Sequence, residues 1–119
     1  METQQLGKTE LEVGRLGVGL AEIGSLSMDQ VFEVSKVLNT ALDNGVTFLD
    51  TSACYGISEE LIGQTVAHRR DEYVLATKCG HVAGDYEGEP WTAQTVTDSI
   101  DRSLRRMRTD HIDLIQLHS

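Results

Sequence analysis

The sequence predicts an α/β fold built on a parallel sheet, and three observations predict it. Short apolar runs that read as strands alternate with longer segments of helical periodicity. The connections between them are short, and ionisable residues recur at the strand exits, the functional face of parallel β/α folds. An open doubly wound sheet and a barrel both satisfy this pattern.

Leu11 to Val13 and Arg15 to Leu20, separated by Gly14, read as a small hairpin strand followed by a first core strand. Ser27 with Gln30 three residues later has capping-box spacing. Val34, Val37, Leu38 and Ala41 then repeat at i, i+3, i+4 and i+7, predicting a helix that closes at Asn44-Gly45. Val46 to Leu49 is a short apolar strand running into Asp50-Thr51-Ser52, and Ser58-Glu59-Glu60 carries the cap and acidic first turn of a second helix. Tyr73 to Thr77 predicts a strand ending at Lys78. After a loop rich in glycine (Gly80, Gly84, Gly88), a third helix carries Val96, Ile100, Leu104 and Met107. Ile112 to Leu117 is a last strand, ending at His118 with Ser119 closing the sequence.

Composition narrows the function classes. The 119 residues are 39% hydrophobic and 24% charged, with one proline, which is an ordinary globular balance. Ten Lys and Arg against nineteen Asp and Glu give a net charge of −9, which repels nucleic acid and anionic membrane surfaces. The one basic cluster, Arg102, Arg105, Arg106 and Arg108, reads as a helix C-terminus on solvated surface. No signal peptide opens the sequence and no apolar run reaches the ~18 residues of a membrane span, so a cytoplasmic location is expected. Cys54 and Cys79 then read as reduced thiols.

Four side chains stand at the strand exits: Asp50, Tyr55 in the loop after it, Lys78 and His118. Each has a plainer reading. Asp50 can cap the turn before Ser52, Lys78 can end its strand in water, Tyr55 can be a packing residue, and His118 a hydrogen-bonded rim histidine. Together they suggest chemistry. A lysine ammonium beside a phenol favours the phenolate, a carboxylate holds that lysine charged, and Tyr55 becomes a general acid. A rival from the same neighbourhood is a metal site of Cys54, Cys79, His81 and His118, although neither a Cys-x2-Cys nor a His-x3-5-His pair is present. Cys54 alone also suggests a redox-sensitive thiol. Trp91 we read as the hydrophobic lead-in to the third helix in preference to a pocket wall.

GKTELEVGRLGVG, FLDTSACYG followed by SEELIG, ATKCG and SLRRMRTDHIDLIQLHS resemble the aldo-keto reductase family in order and spacing, from about Leu6 to Ser119. The resemblance implies a (β/α)8 TIM barrel, of which residues 1–119 hold the N-terminal hairpin and about the first four strands and three helices. It also implies reduction of an aldehyde or ketone with NADPH (NADP), without a metal. Tyr55 would donate the proton, Lys78 and Asp50 would tune it, and His118 would orient the carbonyl. Gly19 and Leu20, with Asp50, would lie near the nicotinamide and ribose.

A whole barrel of this kind takes about 250 residues. The later strands, with the loops that bind cofactor phosphates, fall outside the matched half, and four strands leave two open sheet edges. We therefore expect a fragment of a longer enzyme. The competing expectation is a non-catalytic half barrel acting through self-association of its open edges or through binding another chain. A small carbonyl compound is the expected partner. Its identity, the reaction direction and the choice of NADPH over NADH are not legible, since Ala21 and the loop from Gly80 to Pro90 supply only part of a pocket.

Overall fold

The computed structural model describes residues 1–82, 84 and 86–118. Six strands and three α-helices follow one another as β1 (Thr3–Gln5), β2 (Glu12–Gly14), β3 (Gly17–Gly19), α1 (Val31–Asp43), β4 (Phe48–Asp50), α2 (Ser58–Thr65), β5 (Val74–Cys79), α3 (Ala93–Met107) and β6 (Leu114–Leu117). The predicted alternation is present. The strand Thr3–Gln5 went unread, because three polar residues carry no apolar alternation; it pairs antiparallel with β2. The reading of Ser119 as the chain's close lies outside the described residues.

The other four strands form one parallel sheet in the order β3-β4-β5-β6. Neighbours in sequence are neighbours in space throughout, so these four strands contain no reversal of the kind that defines a doubly wound sheet. The order is that of a barrel wall. β3 and β6 are edge strands. The β1-β2 hairpin packs near the amino end of β4, with Met1 against Gly14 and Gly45, and so lies away from the carboxyl rim.

Pairing register assigns the two faces. Asp50 lies opposite Ala76, and Lys78 opposite Gln116, so these side chains share the inner face. Leu49, Leu75, Thr77, Ile115 and Leu117 take the outer face, where the helices pack. The core fills the space between that outer face and the helices: Val34, Leu38 and Leu42 of α1, Leu61 and Ile62 of α2, Met107 of α3, with Leu49 and Leu75 beneath them.

Two helix stripes differ from the periodicity. In α1 the buried column is Val34, Leu38 and Leu42, whereas Val37 is exposed. In α3 the deepest column is Thr95, Ser99, Ser103 and Met107, while Val96, Ile100 and Leu104 are half-buried. The cause is closeness. A Cβ at Gly63 of α2 would stand 2.0 Å from the Arg106 carbonyl oxygen, so α2 and α3 meet at backbone distance and only small side chains fit along the contact.

The caps also refine the reading. Ser27 N donates to Gln30 Oε1 at 3.3 Å, closing the expected box over a short 3₁₀ turn that leads into α1. Gly45, at φ +83°, ends the helix as expected. Ser58 is not the cap of α2, because Ile57 occupies that position and Ser58 is buried inside the first turn, its Oγ 2.7 Å from Thr51 Oγ1. No helix among the described residues is long and apolar enough to cross a membrane.

Candidate active site

Parallel strands deliver their last residues to one rim, and here three of the four, β4, β5 and β6, deliver a polar group. Asp50 ends β4 and Lys78 stands next to the end of β5. Lys78 Nζ donates to Asp50 Oδ1 at 3.0 Å and to the Thr51 carbonyl at 2.9 Å. The lysine side chain is only 14% exposed, so its ammonium depends on these partners. Gln116 of β6 reaches the same carboxylate oxygen at 3.4 Å. Asp50 therefore joins three strands through one oxygen.

Tyr55 lies in the tight turn between β4 and α2, where its N–H donates to the Ser52 carbonyl and its carbonyl accepts from Ser58 N. Lys78 Nζ is 4.9 Å from the centroid of its ring, a cation held over an aromatic face. His118 follows β6, with its N–H donating to the Cys79 carbonyl at 2.8 Å. Its ring meets that of Tyr55 edge to face, with centroids 6.0 Å apart. The structure thus gathers Asp50, Tyr55, Lys78 and His118 at one rim, from three elements distant in sequence.

The surroundings of His118 set its charge state. Ser52 Oγ stands 3.2 Å and Cys54 Sγ 3.3 Å from its Nδ1. Burial pushes its pKa below the usual histidine value, the neighbouring His81 and Lys78 push the same way, and Asp50 opposes them. At neutral pH the imidazole is uncharged, and can donate or accept a hydrogen bond.

Gly19 and Leu20 occupy the exit of β3. Leu20 donates its N–H to the Asp50 carbonyl at 2.9 Å and buries its side chain in the core. Gly19 pairs with Asp50 in register, and a Cβ added there would meet nothing within 4 Å. Open space therefore borders the backbone beside Asp50. Cys54, Cys79, His81 and His118 do line one recess, together with Ser52, Ala53 and Lys78. They do not make a metal centre: among the described residues no three His, Cys, Asp or Glu are placed to share an ion. Burial also raises the Cys79 pKa, favouring the thiol over the thiolate a metal would need.

Behind the rim lies a set of contacts that sequence reasoning missed. Glu59 reads as an acidic helix start, yet it is 1% exposed, accepting from Thr77 Oγ1 at 2.8 Å and facing Arg106 Nη1 at 3.3 Å. Arg106, expected on solvated surface, also pairs with Glu60 at 3.0 Å and reaches the Ala53 carbonyl at 3.4 Å. These bonds tie α3 and β5 to the turn carrying Tyr55. From the other side, Ile57 N donates to the Gly24 carbonyl at 3.2 Å. A Cβ on Gly24 would fall 2.0 Å from the Tyr55 carbonyl oxygen, and one on Gly56 equally close to Gly24 O. The loop after β3 and the turn holding Tyr55 thus touch backbone to backbone. Gly56, at φ +51°, is needed for the turn as well.

Trp91 stands directly before the Thr92 cap of α3, the entry position expected of it, and it also reaches the rim. It is 51% exposed, and its indole N–H donates to the His118 carbonyl at 2.8 Å, which brings it to the rim. Thr92 is the residue that caps α3, accepting from Thr95 N.

Comparison with known proteins agrees with this architecture. A family model described as the aldo/keto reductase family matches residues 15–119. L-galactose dehydrogenase of Arabidopsis thaliana is 35% identical over 99% of this chain and 38% of its own length. A 6-dehydroglucose reductase of Novosphingobium aromaticivorans is 34% identical over 97% of this chain and 40% of its own. The solved holo form of the aldo-keto reductase AKR11C1 from Bacillus halodurans superposes with a TM-score of 0.84 at 33% identity, covering 99% of this chain and 40% of that one. The chain thus spans about 40% of the length of such relatives, and its sheet and helices form part of an α/β barrel.

Proposed function

The chain belongs to the aldo/keto reductase family, and on that premise we propose that it is the N-terminal part of a barrel oxidoreductase that reduces an aldehyde or ketone with NADPH, Tyr55 acting as the general acid. The observation that carries this reading is the Asp50–Lys78 pair, with its ammonium held over the Tyr55 ring.

The residues present fit the reacting end of the cofactor. Open space lies beside Gly19, next to Asp50, and the cations Lys78 and Arg106 are already ion-paired. On this reading the open space beside Gly19 would take the nicotinamide, as the family resemblance implies. NADPH, when bound, supplies the hydride. Tyr55 gives its proton to the carbonyl oxygen as that oxygen gains charge. The Lys78 ammonium stands beside the phenol, so the negative charge left on Tyr55 meets a fixed cation. Asp50 holds that cation in place. His118, neutral at working pH, donates a hydrogen bond to the carbonyl oxygen and fixes the substrate's orientation. Two relatives named for sugar chemistry, L-galactose dehydrogenase and 6-dehydroglucose reductase, support a sugar-derived carbonyl as the first substrate class to assay. A cytoplasmic location suits this reading.

The open edges of β3 and β6 favour a second reading, a half barrel that assembles with a second copy or another chain and has no catalysis of its own. One experiment separates the two. NADPH is titrated against the 119-residue chain by fluorescence, and carbonyl reduction is assayed for the chain and for Tyr55→Phe. The enzyme reading expects saturable binding by both proteins, with turnover reduced about 100-fold or more by Tyr55→Phe. Absence of binding at millimolar cofactor assigns the catalysis to a longer protein and leaves this chain the assembly role.

A further inference from the structure

Thr51 follows Asp50 and Thr77 precedes Lys78, and both threonines are wholly buried. Their hydroxyls reach the first turn of α2. Thr51 Oγ1 is 2.7 Å from Ser58 Oγ, and Thr77 Oγ1 donates to Glu59 Oε2 at 2.8 Å. Ser58 and Glu59 stand shortly after Tyr55 in the chain, while the Thr51 carbonyl accepts from Lys78 Nζ at 2.9 Å. Two links therefore run from the strands that carry the Asp50–Lys78 pair to the helix start just beyond the phenol. A third closes the turn itself. Arg106 Nη1 faces Glu59 Oε1 at 3.3 Å and the Ala53 carbonyl at 3.4 Å, so one guanidinium nitrogen bridges the two sides of Tyr55.

Stability does not explain why Glu59 is buried. A carboxylate taken out of water loses its hydration, and an apolar pair of similar volume between helix and strand is often as stable or more so. What an apolar pair lacks is direction. Hydrogen bonds fix length and angle, whereas apolar burial is non-directional. The quantity that needs fixing here is the separation of the Lys78 ammonium from the Tyr55 ring, 4.9 Å from nitrogen to centroid. Lys78 comes from β5 and Tyr55 from the turn after β4, so without a cross-link that separation would follow every movement of the turn. The support a cation gives to a developing phenolate falls as the two draw apart, and it counts for most where water is scarce.

We propose that Glu59, acting through Thr77 and Arg106, is a positioning residue that sets the Lys78–Tyr55 separation. Its part in turnover rests on the reductase reading, but the separation can be read without catalysis. Tyr55, Tyr73 and Tyr86 are the tyrosines of the chain, so tyrosine carrying 13C at Cζ gives three signals, assigned by replacing each residue with Phe in turn. Lys78→Met removes the cation, and the displacement of the Tyr55 signal it causes measures how strongly that cation is felt. The same displacement is measured in the backgrounds Glu59→Gln, Thr77→Val, Thr77→Ser and Arg106→Lys, the last keeping the charge and losing the fork. Carbonyl reduction and urea midpoints are recorded for the same proteins.

The displacement should fall about twofold or more in Glu59→Gln, Thr77→Val and Arg106→Lys, and return close to the parental value in Thr77→Ser, which keeps the hydroxyl. In Thr77→Val, kcat should drop about 5- to 10-fold with KM within about twofold of the parent, and Thr77→Ser should recover most of the loss. Contacts that only stabilised the fold would lower the urea midpoint in these variants and leave the displacement unchanged, and that result overturns the proposal. Should Glu59→Gln not fold, Thr77→Val and Arg106→Lys decide the matter, since each opens one side of the clasp and leaves the carboxylate paired on the other. A displacement that responds as expected, in proteins none of which turns over a carbonyl, keeps the positioning role and sinks the reductase reading instead.

Discussion

Leu75 and Ile115 share the outer face of the sheet, one strand apart, and meet opposite surroundings. Leu75, on β5, is wholly buried beneath the helices, while Ile115 on β6 is 41% exposed and Leu117 beside it 68%. The difference divides the candidate site. Asp50 and Lys78 belong to strands paired on both sides and backed by a finished core. His118 and Trp91 belong to an edge held by individual bonds, among them Asp113, which accepts from Leu75 N at 2.8 Å and from Arg70 at 2.7 Å. One part of the site is positioned by packing and the other by hydrogen bonds, so their local stabilities differ.

The comparison can be broken most sharply by truncating the same kind of group in both places. Leu75→Ala is expected to lower unfolding free energy by about 3 kcal/mol, and Ile115→Ala by less than about 1 kcal/mol, since an exposed side chain leaves no cavity. Urea denaturation of the two variants measures both, and equal losses would mean that β6 is covered in solution.

A smaller effect is expected from Arg70→Met. Arg70 donates to the carbonyls of Tyr73 and His111 as well as to Asp113, and so fastens the approach to β6 onto β5. Its loss should cost about 2 kcal/mol. Amide exchange should accelerate more in residues 114–117 than in residues 74–79, and uniform acceleration would show that the two strands open together.

The smallest effect concerns protonation. Because burial, His81 and Lys78 lower the His118 pKa, the unfolded chain binds that proton more readily than the folded one. This histidine is therefore without effect on stability above its ordinary pKa, and stability falls as pH drops through that value towards the lower folded one. Between about pH 8 and pH 5, His118→Gln should flatten the decline. An unchanged slope would place the lost stability in other groups.

Much of this was legible in the residues, and the remainder has physical reasons for being hidden. Asp50, Tyr55, Lys78 and His118 could be picked out because strand exits converge whatever the details of packing. The order of the strands was not legible, since alternation alone suits barrel and open sheet alike; the resemblance to a family supplied it. Glu59 does start its helix as read, but its burial, and that of the Arg106 contact, went unread because a buried ion pair is written in the same letters as a solvated helix surface. Thr95, Ser99 and Ser103 escaped notice since small polar residues lie deep only where two helices nearly touch, and one helix's periodicity says nothing of its neighbour. Trp91 was read at its helix entry, where it lies, but its bond to the rim was hidden because a backbone at φ +58° leaves no mark in sequence.

The backbone contact between Gly24 and the Tyr55 turn bears on how far this scaffold can be re-engineered loop by loop. The first two rim loops are not separate modules. Exchanging the segment after β3 for a longer or bulkier one would drag the Tyr55 phenol with it. Grafts at this rim are therefore expected to require residues 20–26 and 51–57 to be transplanted together.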